Sequence, residues 1–238
     1  MVELFDVLRV IAITALAGGT SFLGGLLGRY IKFSERHMLF LTAFGAGVLM
    51  SAAVFQMVIE AEKEMGVYPM LAAFVGGSIA FSLADMIAER KGGEAGILLG
   101  IGLDTIPESL AVGASIASGA ALAVAILIGI QNVPEGIASF KELTSGKSSF
   151  GGNKKKALMA IGTVSVIPIF LGLLGLFFFQ GMKTVIAVTL AVAAGGIFYM
   201  LFYDMIPKAH KEKKFAPTFG AVIGFIVGFS IIRLIGQG

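Results

Sequence analysis

The sequence predicts an all-α, polytopic membrane protein with eight transmembrane helices and both termini on the outer side. Only 14% of its 238 residues are charged and its mean hydropathy is +0.93, whereas a soluble domain has about 25% charged residues. Apolar runs of about 20 residues, the length that crosses a bilayer, recur between short polar or basic breaks. The eight predicted spans cover about 5–28, 38–60, 68–89, 95–118, 121–142, 157–180, 184–207 and 216–235.

The distribution of basic residues between the loops predicts the orientation. Of the 18 Lys and Arg residues, 14 lie in or beside the odd-numbered loops, and the alternate loops contain only Lys63 and Lys183. Cytoplasmic loops of membrane proteins carry the excess of Lys and Arg. We therefore expect the odd-numbered loops in the cytoplasm.

We predict a single transmembrane domain over residues 1–238, with helices one to five at about 5–142 and helices six to eight at about 157–235. A basic cytoplasmic loop at about 143–156, rich in Gly, Ser and Lys, separates the two sets of helices, and its composition predicts that it is flexible. The chain has no Cys, which excludes disulfides and thiolate metal sites. Its net charge of +3 is small and dispersed, so we expect no nucleic-acid partner.

Two motifs in the predicted fourth and fifth spans align without a gap at an offset of 27 residues. They are Ile101–Ala111, which contains Pro107-Glu108, and Ile128–Ala138, which contains Pro134-Glu135. A charged side chain at the centre of a bilayer costs about 2.5–3.5 kcal/mol and marks a functional site by default. The duplication favours a polar cation site over simple packing around one kinked helix.

In the fourth span, helical spacing gathers oxygen donors on one face. Asp104 and Glu108 are four residues apart and share that face, with Thr105 beside it. Pro107 has no N–H, so the carbonyl oxygen of Leu103 loses its helical partner.

The fifth span repeats this arrangement. Gln131 and Glu135 share a face, Asn132 lies beside it, and Pro134 leaves the carbonyl of Ile130 without its helical partner. Consecutive spans run antiparallel, so we expect the two polar faces to meet at one depth, between helices four and five.

The expected counter-charge for these carboxylates is a mobile cation. Buried charges require a partner, and Arg9 and Arg233 lie toward the outer ends of spans one and eight. The sequence therefore predicts no Lys or Arg beside the cluster.

The two motifs resemble those of the ZIP (Zrt/Irt-like) divalent-metal transporters, whose fourth and fifth helices carry His-Asn-x-Pro-Glu-Gly-like signatures. Phe44–Gly47 and Asp204–His210 are similar to the family's second and seventh helices. The resemblance implies movement of zinc, iron, manganese or related ions into the cytoplasm. It also implies the metal ligands Asp104, Thr105, Glu108, Gln131, Asn132 and Glu135.

Several residues depart from the family pattern. Asp104 stands where His is usual, Thr105 where Asn is usual, and Ser109 where Gly is usual, while Gln131 matches some bacterial-type relatives. Every side-chain donor in the set is an oxygen, which suits harder ions such as Mn²⁺ or Fe²⁺ better than zinc. The residues favour harder ions and the resemblance ranks zinc first; cadmium is a further candidate.

Other polar residues of the spans extend the hypothesis toward both membrane surfaces. Gln56, Glu60 and Ser115 are entrance candidates, for which a solvated helix end and helix packing are the alternatives. Asp204 and His210 are exit candidates, with simple solvation as the alternative.

We expect no prosthetic group, a divalent metal ion as substrate, and the lipid bilayer as partner. Close-packing Gly faces allow a homodimer, and the support for one comes from the resemblance to the family. The resemblance to bacterial-type members suggests a prokaryotic plasma membrane.

Two other functions compete with transport. The missing His ligands are compatible with a transport-inactive metal sensor. Tyr203-Asp204 and the Gly100–Asp104 stretch distantly resemble intramembrane aspartyl proteases, but their order is reversed, the second spacing is wrong, and both Pro-Glu motifs stay unexplained. We therefore predict a transporter and no enzyme.

Overall fold

The computed structural model describes residues 3–91, 98–99, 105–106, 108–110, 112–113, 116, 121–145, 150, 152–179, 181–210 and 215–235. Within these ranges seven helices are long and apolar enough to cross a membrane. They are α1 (Leu4–Tyr30), α2 (Glu35–Met65), α3 (Val67–Arg90), α4 (Ala121–Leu143), α5 (Lys154–Phe179), α6 (Lys183–Ala209) and α7 (Phe215–Ile235).

The predicted all-α membrane fold is confirmed. Helices α1–α3 correspond to predicted spans one to three, and α4–α7 correspond to spans five to eight. The predicted fourth span lies largely outside the described residues, although its described positions 98–99, 105–106, 108–110 and 112–113 are helical. The outer location of the termini stays a prediction.

Several helix boundaries differ from the sequence prediction, among them the end of α6, which continues to Ala209. α2 continues to Met65, so Glu62 and Glu64 occupy helical turns rather than a loop. α5 begins at Lys154, inside the predicted basic loop, because the Asn153 side chain accepts hydrogen bonds from the backbone N–H groups of Lys155 and Lys156, both at 3.1 Å.

Among the described residues, close glycine contacts join several pairs of helices, including α1 with α4, α2 with α7, and α3 with α6. In the first pair, a Cβ on Gly136 of α4 would collide with the Ser21 carbonyl oxygen of α1. Small residues provide such close approach in membranes, where no hydrophobic effect drives helices together. α4 is the most buried of the seven helices and also contacts α2.

Within the part of the chain that the structure describes, two helices contain a short π-helical segment, Ala53–Val58 in α2 and Leu201–Met205 in α6. The first contains the entrance candidate Gln56 and the second the exit candidate Asp204. A π-helical turn inserts an extra residue into the helix and occurs frequently at functional sites. α5 is interrupted at Ser165 and Val166, just before Pro168.

Candidate metal centre

The Glu108 carboxylate and the Gln131 amide meet across two helical segments. Glu108 Oε1 accepts a hydrogen bond from Gln131 Nε2 at 3.5 Å, and the two residues are only 2% and 3% exposed. The motifs that align in sequence therefore contact each other in space. Their buried polar atoms form the core of the candidate metal centre.

Two further hydrogen bonds, through the side chain of Asn132, connect this contact to α1. Gln131 Nε2 also donates to Asn132 Oδ1 at 2.5 Å, and Asn132 Nδ2 donates to the carbonyl oxygen of Ala17 at 3.0 Å. Both ends of the Asn132 amide are thus engaged with the protein. With the nitrogen of Gln131 directed to Glu108 and Asn132, its Oε1 atom is the part of that side chain suited to bind a cation.

Asn132→Ala is expected to destabilise the protein by about 0.6–1.7 kcal/mol, the size of measured interhelical hydrogen bonds in membranes. The substitution removes the bond to Ala17, which joins α4 to α1. The free energy of unfolding in detergent micelles measures the effect. Thr189→Ala is the control, because Thr189 bonds within its own helix to the Val185 carbonyl; equal losses in the two variants would contradict the expectation.

Glu135 lies one helical turn beyond Gln131 on α4. It is half-buried and interacts electrostatically with Glu108, Gln131 and Asp204. Glu135 therefore lies within electrostatic range of both Glu108 and Asp204.

Pro134 makes a backbone carbonyl oxygen of the same turn available as a candidate metal ligand. It is buried inside α4 without ending the helix, and because it has no N–H, the Ile130 carbonyl lacks its usual helical partner. A carbonyl released in this way is tolerated in a membrane where it lines a polar cavity.

The remaining predicted ligands are only partly described. Thr105 is half-buried within the described part of its span, and Asp104 lies outside the described residues. Among the residues that the structure covers, no three His, Cys, Asp or Glu side chains lie close enough together to hold a metal ion. Amide, hydroxyl or carbonyl oxygens must therefore complete any site built from those residues.

The entrance candidates differ in their environments. Gln56 is half-buried, and its Nε2 atom is buried with no hydrogen-bond partner among the described residues. Glu60 is exposed and pairs with Lys63 at 3.5 Å. Ser115 lies outside the described residues.

The exit candidates lie at the end of α6. Asp204 forms an ion pair with Lys208, with Nζ 2.7 Å from Oδ1. His210 is exposed; its Nδ1 lies 3.3 Å from the Ile206 carbonyl oxygen and its Nε2 lies 3.2 Å from the Thr218 hydroxyl of α7. The structure thus places Asp204 near Glu135 and directs His210 toward α7.

Comparison with known proteins gives one decisive match. A family model described as ZIP zinc transporter matches residues 84–236. The chain belongs to the ZIP zinc transporter family. No curated protein matches it.

Membership in the ZIP family implies transport of divalent metal cations across a membrane, and ZIP proteins are transporters rather than enzymes. The matched region contains both Pro-Glu motifs, the exit candidates and α4–α7. Tyr203 belongs to the stretch that distantly resembles intramembrane aspartyl proteases. Its hydroxyl group donates a hydrogen bond to Glu89 at 3.0 Å.

Sequence reasoning missed one charged residue of this ZIP protein. It assigned Lys208 to a loop and predicted no Lys beside the carboxylates, but α6 continues to Ala209 and Lys208 interacts electrostatically with Glu135 as well as pairing with Asp204. The i, i+4 spacing of Asp204 and Lys208 was the available signal.

Proposed function

We propose that this protein moves a divalent transition-metal cation toward the cytoplasm through a midplane site between predicted helices four and five. Glu108 and Glu135 bear the charge of the site, with Asp104 as a third carboxylate. Thr105, Gln131 and Asn132 contribute neutral oxygens or position them. The observation that carries the proposal is the buried contact between Glu108 and Gln131.

A cation accounts for the burial of these carboxylates. Removing a carboxylate from water is costly unless it is paired, and the buried Glu108 interacts electrostatically with the half-buried Glu135. A divalent ion between them would offset both the desolvation and the mutual repulsion. Family membership supplies the class of cation.

The identity of the ion is a balance between two arguments. Oxygen donors suit Mn²⁺ and Fe²⁺, whereas the family description favours zinc; cadmium is a further candidate. We rank zinc first and treat the oxygen-only donor set as the feature that would shift selectivity toward harder ions.

The proposed path runs from an outer entrance at Gln56, Glu60 and Ser115 to an inner exit at Asp204 and His210. Its direction is supported by the distribution of Lys and Arg between the loops, which favours a cytoplasmic location for the end of α6. We further propose a prokaryotic plasma-membrane location and a homodimer.

The experiment is uptake of Zn²⁺, Mn²⁺, Fe²⁺ and Cd²⁺ into proteoliposomes, with the Glu108→Ala, Glu135→Ala double variant alongside. Glu142→Ala is the matched control, because Glu142 is exposed near the end of the same helix as Glu135. We expect uptake by the wild type and the control, and none by the double variant.

Three outcomes separate the alternatives. Uptake that only the double variant loses supports the midplane site, and the ranking of ions decides between zinc and harder ions. Binding without uptake would assign the protein as a metal sensor. Neither binding nor uptake of any of the four ions would overturn the proposal.

A further inference from the structure

Lys208 forms an ion pair with Asp204, the residue assigned to the inner exit of the proposed path. Its Nζ atom is 2.7 Å from Oδ1 and 2.9 Å from Oδ2 of Asp204, so the ammonium group contacts both oxygens of the carboxylate. The two side chains are 58% and 43% exposed, respectively. Both atoms through which Asp204 would bind a metal are therefore occupied by the protein's own cation.

The segment that carries Asp204 borders the candidate metal centre. It is the π-helical turn Leu201–Met205 of α6. A methyl group added to Gly45 of α2 would lie 3.5 Å from Cβ of Gln131 and 3.7 Å from Cε of Met205. Gln131 and Met205 thus approach the same point on α2, and Asp204 directly precedes Met205.

The ammonium group also acts on the centre itself. Glu135 of α4 interacts electrostatically with both Asp204 and Lys208. An ordinary exposed pair at i, i+4 joins two side chains of one helix and contributes about 0.3–0.5 kcal/mol. Here a carboxylate of the proposed site, Glu135 on another helix, also interacts electrostatically with the pair.

We propose that Lys208 is a tethered cation that neutralises Asp204 in the metal-free protein and that a metal ion displaces as it leaves. This inference rests on the proposed function. When the ion reaches Asp204, the lysine moves toward solvent, and it returns when the ion departs. Because Lys208 competes for Asp204, the carboxylate does not hold the metal tightly. After the metal has left, Lys208 again neutralises the charge of Asp204.

The same exchange favours divalent over monovalent ions. When a monovalent ion displaces the ammonium group, one positive charge beside Asp204 is replaced by another. The electrostatic energy at Asp204 therefore changes little. A divalent ion brings two charges into the field of Asp204 and Glu135, and Coulomb attraction scales with that charge. Lys208 thus competes with the ion for Asp204, and only ions that Asp204 and Glu135 attract more strongly than the ammonium group displace it.

The first test compares metal affinity between variants in detergent, with Cd²⁺ as the probe in calorimetric titration. Lys208→Met keeps most of the length of the side chain and removes its charge, and we expect Cd²⁺ to bind about fivefold more tightly, the equivalent of about 1 kcal/mol for an ion pair. Lys208→Arg restores the charge and should restore the wild-type affinity. Lys183→Met, at the opposite end of α6, should not change it.

The second test uses the unmodified protein and so does not depend on the folding of a variant. An amine-acetylating reagent is applied with and without Cd²⁺, and modification is followed by mass spectrometry at each lysine. Displacement from Asp204 should make Lys208 react several-fold faster when Cd²⁺ is bound. Lys183, which is exposed, should react at the same rate in both conditions.

The outcomes distinguish this inference from the proposed function. If the wild type transports metal but Lys208→Met leaves the affinity unchanged and Cd²⁺ does not accelerate acetylation of Lys208, the pair is a plain surface ion pair and this inference is overturned alone. If the wild type neither binds nor transports metal, both proposals fail together.

Discussion

Glu108→Gln is expected to reduce metal uptake about 30-fold or more, because removing one member of a buried charged contact costs about 2–5 kcal/mol and every 1.4 kcal/mol is tenfold. Gln has nearly the shape of Glu, so the packing around this 2% exposed residue is retained while its charge is lost. Its amide oxygen can still accept the hydrogen bond from Gln131. The loss therefore reports on charge rather than on folding. Initial uptake rates in proteoliposomes measure it.

The matched control for this prediction is Glu142→Gln, an identical chemical change at an exposed position of α4. It should leave uptake at the wild-type rate. Thermal unfolding of both purified variants separates lost transport from lost structure. Wild-type uptake by Glu108→Gln would show that the buried carboxylate is not needed for transport.

Gly136→Ala is expected to destabilise the protein by about 1–3 kcal/mol, the usual cost of overpacking a tightly packed interior. The new methyl group would collide with the Ser21 carbonyl oxygen and lie 3.0 Å from the Gly25 backbone nitrogen. Both are backbone atoms of α1, so no side-chain rotation can relieve the contact. α1 and α4 must separate, which also lengthens the hydrogen bond from Asn132 to Ala17.

Gly129→Ala provides the comparison on the same helix. Its methyl group would meet only the Thr20 side chain, at 3.4 Å from Cγ2, which is ordinary van der Waals contact. We expect a much smaller change in the unfolding free energy in detergent, and uptake close to that of the wild type. Equal destabilisation by the two substitutions would contradict a specific role for the Gly136 contact.

The spans were predictable because bilayer thickness imposes a length on apolar helices, and α1–α7 follow the predicted runs closely. The meeting of Glu108 with Gln131 was also predictable, since both motifs lie at mid-span on consecutive helices. The assigned ligand, entrance and exit roles all remain predictions, and two of the residues, Asp104 and Ser115, also lie outside the described residues.

The surroundings of the site were harder to predict. Lys208 follows Pro207 at the end of an apolar run, and hydropathy cannot indicate that the helix continues through it. The π-helical turns at Ala53–Val58 and Leu201–Met205 shift the helical register, which a fixed period of 3.6 residues does not anticipate. The bond from Asn132 to Ala17 joins residues 115 positions apart, and no local pattern specifies it.

The pairing of helices through glycine has a consequence for how the chain is assembled in the membrane. Each of α1, α2 and α3 packs extensively against a helix that is synthesised later, namely α4, α7 and α6. The first three helices are therefore synthesised before the helices against which their glycine contacts pack them. Because the α2–α7 pair encloses the α3–α6 pair along the chain, its packing cannot be completed until the helix that begins at Phe215 has been inserted.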